Sequence, residues 1–301
     1  MTHHWGYVGA LTSALLFGIG TTLNKLALAD VHPTLVAGLI YFFAGVTLFA
    51  VRFSPLRGRV MKLLATPTKT ESNFCLKDFV ILGLVVLSGS IIAPFLFLNG
   101  LNQTTAVNAS LLQNGEALFT VLIAVSFLRE RCNRKEWVGI GFLILGAVFL
   151  STNAQFYSLS LDTWLVGNLL VLGACLFWGI DNNLSKFLCF KEDLITVTAL
   201  KCLIGGASLL LLAYAFGIPF FVPLSAYPYL LSVGAFSIGF SLLFFMLGLK
   251  EIGSMRTGTI FSTTALFGAV FAFVILRETF TVVQTLAGLL MVLGVYVLYK
   301  K

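Results

Sequence analysis

The chain has 301 residues, 58% of them hydrophobic and only 10% charged, with a mean hydropathy of +0.99. A soluble globular domain is about 45–50% apolar and about 25% charged, so this chain has too few polar groups to meet water on every side. That composition excludes a disordered chain, a nucleic-acid binder and a secreted disulfide scaffold, and it leaves an integral membrane protein.

The apolar runs are continuous and about 20 residues long, which is what a helix needs to cross the hydrocarbon core. A membrane β-barrel would instead alternate apolar and polar residues over strands of about 10. Backbone groups find no water in lipid, so each crossing is expected to be helical. In chain order, ten spans are predicted: 5–28, 33–53, 79–101, 105–128, 135–152, 163–187, 193–216, 227–248, 255–276 and 281–299. The first lacks a Lys/Arg-rich leader and a cleavage site, and reads as a retained span. Breaks fall at Asp30-Val31-His32-Pro33, Asn99-Gly100-Leu101-Asn102, Gly217-Ile218-Pro219 and Pro228. One connection is long, about 54–78, and rich in charge, Ser/Thr and Pro.

The Lys and Arg residues set an orientation. All but Lys25, Lys201 and Arg277 of the 19 fall at one end of the predicted bundle. That skew puts both termini and the long loop in the cytoplasm, and it accounts for the net charge of +7 without a nucleic-acid partner. Cys75, Cys132 and Cys189 fall on the same reducing side, as free thiols would.

The two halves of the chain match. Leu16-Phe17-Gly18-Ile19 recurs as Phe177-Trp178-Gly179-Ile180, and in that register Lys25 matches Lys186. Later, Gly100-Leu101 matches Gly248-Leu249, Ala117-Leu118-Phe119 matches Ala265-Leu266-Phe267, Phe127-Leu128-Arg129-Glu130 matches Ile275-Leu276-Arg277-Glu278, and Gly146 matches Gly294. Each half therefore holds five spans, with the long loop absorbing the change of register. Five is odd, so the second copy enters the membrane from the opposite side. Inverted repeats of this kind belong to secondary transporters.

Leu112-Gln113-Asn114-Gly115-Glu116-Ala117-Leu118-Phe119, Phe127-Leu128-Arg129-Glu130, Trp137-Val138-Gly139 and Leu145-Gly146, with the partial repeat Leu276-Arg277-Glu278 and Leu293-Gly294, carry a family resemblance. The chain resembles the EamA-type carriers of the drug/metabolite transporter superfamily over nearly its whole length. The resemblance implies an all-α membrane fold of ten transmembrane helices in two inverted-topology five-helix repeats, 1–153 and 160–301. It implies a central cavity lined by spans one, three, four, six, eight and nine, and carriage of small organic molecules such as amino acids, commonly outward. Where the family often has a proline after the position of Glu116, this chain has Ala117.

Charge inside hydrocarbon is costly, so ionisable residues within spans are functional candidates. Glu116 lies near the middle of the predicted fourth span, about 17 Å from either end at about 1.5 Å per residue. Thr105, Asn108, Gln113, Glu116 and Thr120 share an arc of roughly 140° on that helix, a stripe suited to a wet cavity. Glu116 either binds a cationic group of the substrate, exchanges a proton or another coupling ion, or makes a permanent interhelical hydrogen bond. In the sixth span Trp178, Asp181, Asn182 and Ser185 share an arc. Asp181 is read as a substrate ligand, as a gate paired with Lys186 or Lys201, or as a helix-end acid bonded locally. Trp178 either stacks on substrate or packs. Asn24, which matches Ser185 from its place in the first span, is read with Lys201 and Lys186 as a gating or charge-pairing residue. Lys201 either snorkels to the headgroups or neutralises Asp181. Glu278 and Glu130 are read as local, pairing with Arg277 and Arg129 or capping the next helix.

The five cysteines form no CxxC pair, and neither a phosphate-binding loop nor an HExxH motif is present. No metal and no cofactor is therefore expected. The function predicted is a secondary transporter of small polar or amphipathic metabolites, an exporter by family habit. Its partners would be that substrate, the bilayer and a coupling ion such as the proton, in the plasma (inner) membrane of a prokaryote. Organellar and eukaryotic membranes stay open, and the sequence carries no signal of oligomeric state. A channel, a structural membrane subunit and an intramembrane enzyme using Glu116 and Asp181 as acid and base are the rival readings.

Overall fold

A computed structural model of the chain describes residues 3–55, 76–127, 134–152, 163–188 and 194–299, and every regular element among them is helical. Most of the 54–78 loop, together with Cys75, Arg129, Glu130, Cys132 and Cys189, lies outside the described residues.

The first helix, α1, spans His3–Ala27 and α2 spans Pro33–Phe53. The start of α2 is written in its sequence. Pro33 takes the first turn, where no N–H is needed, and the His32 Nδ1 accepts the Thr34 N–H at 3.3 Å. Helix α3 is continuous from Leu76–Val85 through a π-helical segment, Val86–Ile92, into Ala93–Gln103. Then come α4 (Ala106–Leu112), α5 (Gly115–Phe127), α6 (Arg134–Thr152), α7 (Thr163–Ser185) and α8 (Leu194–Ala215). Gly217, in the left-handed region with φ 66°, ends α8. The N–H of Ile218 there returns to the Ala213 carbonyl and that of Gly217 to Tyr214, both at 3.0 Å. Helix α9 runs from Tyr227–Ser232 through a second π segment, Val233–Phe240, into Ser241–Phe261. Helices α10 (Thr264–Leu276) and α11 (Val282–Tyr299) complete the chain.

Among the described residues six helices are long and apolar enough to cross a membrane, and Trp137–Thr152, Thr264–Leu276 and Val282–Val297 are shorter apolar helices. Two predicted crossings need correction. The fourth is not one helix. It tightens at Gln113-Asn114, where the Asn114 and Glu116 N–H groups bond three residues back instead of four, so Glu116 lies in the first turn of α5. The ninth is divided as well. Its first part belongs to the end of α9, past a kink at Gly253 with φ 80°, and Ser262-Thr263 separate it from α10. Polar side chains and glycine offer the backbone alternatives to regular helix, and irregular backbone at membrane depth survives where it is buried in protein or lines a cavity.

The helices pack as α2 on α8, α6 on α11, α1 on both α9 and α10, α7 on both α3 and α5, and α4 on α10. Small residues set the closest approaches. Ala10 and Ala14 of α1 are fully buried. A Cβ at Gly18 would stand 2.9 Å from the Thr264 carbonyl of α10, and one at Gly179 would stand 3.0 Å from the Thr120 nitrogen of α5. These glycines let backbones meet, which is how helices associate where lipid offers no hydrophobic drive. Leu211, Val274 and Leu286 are exposed on the outside of α8, α10 and α11, the placement that a lipid solvent favours.

Candidate functional site

A cavity of about 160 Å³ lies among α1, α4, α5, α7, α9 and α10. Its polar wall comes from Gln113, Glu116 and Thr120 on one side and Asn182, Asn183 and Lys186 on the other. Its apolar wall comes from Phe17, Phe245 and Phe261, which meet as tilted pairs, Phe17 to Phe261 at 5.4 Å and Phe261 to Phe245 at 4.7 Å between ring centroids. Such a wall offers an amphipathic ligand apolar area beside a few fixed polar groups.

Glu116 is the acid of this cavity. Its Oε1 accepts the Asn182 Nδ2–H at 2.6 Å, and the same amide reaches Thr120 Oγ1 at 3.4 Å. Asn183 donates from Nδ2 to the Thr120 carbonyl at 3.0 Å, so α7 holds α5 through two consecutive amides. Among the described residues no cation pairs with Glu116. A carboxyl group held by a neutral amide in a partly apolar cavity keeps acceptor capacity beyond that one hydrogen bond.

Asp181 lies deeper. Its Oδ2 pairs with Lys201 Nζ of α8, and its Oδ1 accepts the Ser185 hydroxyl at 2.9 Å. Lys201 therefore does not snorkel to the headgroups, because a carboxylate inside the bundle offers it a shorter path out of the hydrocarbon. Nor does Asp181 pair with Lys186, which lines the large cavity with its Nζ 5.5 Å from the Phe187 ring centroid. Room for Asp181 is made by Gly89 in the first π segment, where any Cβ would collide with the carboxylate. Tyr41 closes that spot by donating its hydroxyl hydrogen to the Gly89 carbonyl at 3.1 Å. A small cavity of about 20 Å³ joins Glu116, Trp178, Asp181, Asn182 and Lys201.

The stripe predicted along 105–120 does not face one space. Gln113, Glu116 and Thr120 line the large cavity, whereas Thr105 caps α4 by accepting the Asn108 N–H at 3.1 Å. Asn108 turns away from the cavity. Its Nδ2 donates to Asn168 Oδ1 at 2.6 Å and to Thr104 Oγ1 at 3.3 Å, and Asn168 donates onward to the Ser151 carbonyl at 3.1 Å. That network ties α4 to α3, α6 and α7, and the twist introduced at Gln113-Asn114 separates it from Glu116. Trp178 packs between Phe17, at 5.9 Å, and Phe97, at 5.2 Å between centroids. Asn24 and Gln113 meet in a third cavity of about 10 Å³ on the far side of Phe17. Glu278 does not cap the helix that follows it. Its carboxylate accepts the N–H groups of Ala106 and Val107, at 3.0 and 2.8 Å, and so caps α4 from across the bundle. Tyr41, Gly89, Phe245 and Phe261 join the site without a signal in the sequence pattern, since an apolar residue inside a span looks the same whether it faces lipid, a neighbour or a cavity.

A helical membrane protein with interrupted helices around a polar internal cavity is the architecture of a transporter. The comparisons agree. The EamA-like transporter family matches residues 4–152 and again 165–300. An uncharacterized transporter of Methanothermobacter thermautotrophicus is 41% identical over 299 residues, covering 99% of this chain and 87% of that protein. The uncharacterized transporter YoaV of Bacillus subtilis is 24% identical, covering 96% of this chain and 94% of that protein. A solved crystal structure superposes with a TM-score of 0.68 at 19% identity, over 97% of this chain and 95% of that one, a likeness of fold. The chain belongs to the EamA-like transporter family. It is an integral membrane transporter and not an enzyme, which removes the acid-base reading of Glu116 and Asp181.

Proposed function

We propose that this transporter is a secondary carrier that moves a small amphipathic metabolite bearing a cationic group, such as an amino acid, by alternating access. The observation that carries this reading is the cavity itself. Glu116 accepts the Asn182 amide and, among the described residues, makes no salt bridge, while Lys186 lines the same cavity and Phe17, Phe245 and Phe261 supply its apolar wall. Glu116 would take the cationic group, the aromatic wall the apolar part, and Lys186 a negative group where one is present. A proton or another cation competing for Glu116 is the coupling that this arrangement allows.

The architecture in this reading has ten spans in two inverted five-helix repeats, 1–153 and 160–301. Several features support it. The π segments of α3 and α9, and the interruptions at Gln113-Asn114 and Ser262-Thr263, lie within a residue of matching places in the register that aligns Ala117 with Ala265. Exchanging the halves also turns the α1–α9 pairing into α7–α3 and the α1–α10 pairing into α7–α5. The Lys/Arg skew supports cytoplasmic termini in a prokaryotic plasma membrane, with the large cavity facing the cytoplasm as an exporter loading its substrate would require.

The test is countertransport in proteoliposomes loaded with amino acids, amines, sugars or nucleosides. Saturable exchange restricted to amines or amino acids is the expected result. Exchange restricted to sugars or to anions lacking a cationic group would overturn the substrate class. Flux without saturation would overturn the carrier.

A further inference from the structure

Glu116 of α5, Asp181 of α7 and Lys201 of α8 line one small cavity of about 20 Å³. Asp181 and Lys201 also line a second of about 20 Å³, beside Ser185 and Thr198. A water-sized sphere occupies about 10–15 Å³, so each space lets an ammonium group shift but cannot hold a metabolite. The other side-chain donors around the two acids are engaged. Tyr41 donates to the Gly89 carbonyl, Asn182 to Glu116 Oε1 and Ser185 to Asp181 Oδ1. Lys201 is the exception. An ammonium carries three N–H donors, and among the described residues Lys201 bonds to Asp181 Oδ2 alone. It can therefore donate more than it does, and the other carboxyl group lining its space is Glu116.

A carboxylate shut inside the bundle without a counter-charge is costly. On the loaded passage the cationic group of the substrate supplies that charge to Glu116. On a return without substrate it has to come from a coupling cation or from the protein. Lys201 shares a small space with both acids, whereas Lys186 lines the large cavity and neither small one.

We propose that Lys201 is a shared internal cation: it bonds to Asp181 alone while the large cavity stands open to a ligand, and it bridges Asp181 and Glu116 when the cavity closes without one. Its flexible four-carbon stem and rotatable donors suit it to the exchange. Ser185 keeps Asp181 anchored as the ammonium moves. Gly89 keeps the approach clear, since any Cβ there would collide with the Asp181 carboxylate. Lys201 is on this account a positioning residue of the unloaded carrier and not a ligand of the substrate. The inference rests on the carrier reading for its purpose, but the sharing of one lysine by two acids is tested without transport.

The test uses the full chain in nanodiscs and a hydrophobic carbodiimide, which modifies a buried carboxyl group less readily when an ammonium is bonded to it. Modification of Glu116 is read by mass spectrometry. The decisive variant combines Asp181→Asn with Lys201→Met, which removes one charge of each sign and leaves the net charge near Glu116 as it was. Its Glu116 is expected to be modified several-fold faster than that of wild type, because no lysine visits it. Asp181→Asn alone leaves Lys201 with Glu116 as its remaining carboxylate, and modification is expected to slow several-fold. A double variant modified at the wild-type rate would overturn the proposal, as would Asp181→Asn protein modified as fast as the double. If Asp181→Asn alone fails to fold, the double variant decides it. In proteoliposomes the double variant is expected to lose net efflux several-fold relative to exchange, since exchange never closes the site without a substrate. Net efflux and exchange falling in step would overturn the role in return. Carbodiimide rates that move as expected in a protein without countertransport would uphold the shared lysine and count against the carrier reading. Countertransport with carbodiimide rates indifferent to both substitutions would do the reverse.

Discussion

Phe17 and Trp178 occupy matching places in the two halves of the chain, and they pack edge to face with ring centroids 5.9 Å apart at an interplanar angle of 79°. Phe17 lines both the large cavity and the small one beside Asn24, and Trp178 lines the small one, so the Phe17 ring borders both spaces. Edge-to-face pairs are worth about 0.5–1.5 kcal/mol beyond the area they bury, enough to hold this contact yet weak enough to break in a transport cycle. Phe17→Ala should join the two spaces. The expected outcome is a several-fold rise in passive, non-saturating flux through proteoliposomes, with Phe17→Leu intermediate. A tight, saturable Phe17→Ala carrier would place the barrier elsewhere.

Asn182 orients the cavity's acid. A hydrogen bond to a charged group contributes about 1.5–3 kcal/mol, so Asn182→Ala should weaken substrate affinity by about tenfold or more. Asn182→Asp should be worse, because it sets a second acid against Glu116. Thr120→Val should be nearly silent, since the Asn182 amide sits 2.6 Å from Glu116 but 3.4 Å from the Thr120 hydroxyl. The affinity for exchange, measured across the three variants, checks the order.

The pair between Asp181 and Lys201 is buried on both sides. Removing one partner of such a pair costs about 3–5 kcal/mol, because the other charge is left stranded. Lys201→Met should therefore lower the melting temperature markedly, and Asp181→Asn combined with Lys201→Met should recover most of the loss. Thermal unfolding in detergent measures both. Independent, additive effects of the two substitutions would show that the charges do not depend on each other.

Asn168 accepts from Thr104 and Asn108 and donates to the Ser151 carbonyl, and none of these groups lines the large cavity. Asn168→Ala and Asn108→Ala should each cost about 1–3 kcal/mol of stability through unpaired buried groups, while substrate affinity in the folded fraction stays at the wild-type level. A changed substrate preference in Asn108→Ala would return that residue to the binding site.

Much of the fold was legible because lipid leaves a chain few choices. Apolar length marked the long helices, and Pro33 and Gly217 marked a start and a stop. Glu116, Asn182 and Lys186 stood out because polar groups inside spans are rare and costly. What escaped the sequence was the local backbone. A helical wheel drawn through 105–128 assumes one regular helix, and the tightened turn at Gln113-Asn114 rotates Asn108 away from Glu116. Partner choice escaped for a related reason. Lys186 lies nearer to Asp181 in sequence than Lys201 does, and only the packing of α8 on α3, with Gly89 making room, selects Lys201. The role of Glu278 in capping α4 was hidden because its partners lie more than 170 residues earlier in the chain.

The central claim is that Glu116 is the substrate's charged anchor. The most direct measurement is saturable countertransport by Glu116→Gln beside wild type, in proteoliposomes with matched amounts of folded protein. Glutamine keeps the shape and can still bond to Asn182, but it removes the negative charge. The account expects exchange of a cationic or zwitterionic substrate to fall by at least about tenfold, with the melting temperature little changed. Unaltered exchange by a folded Glu116→Gln protein would contradict it and reduce Glu116 to a residue that merely joins α5 to α7.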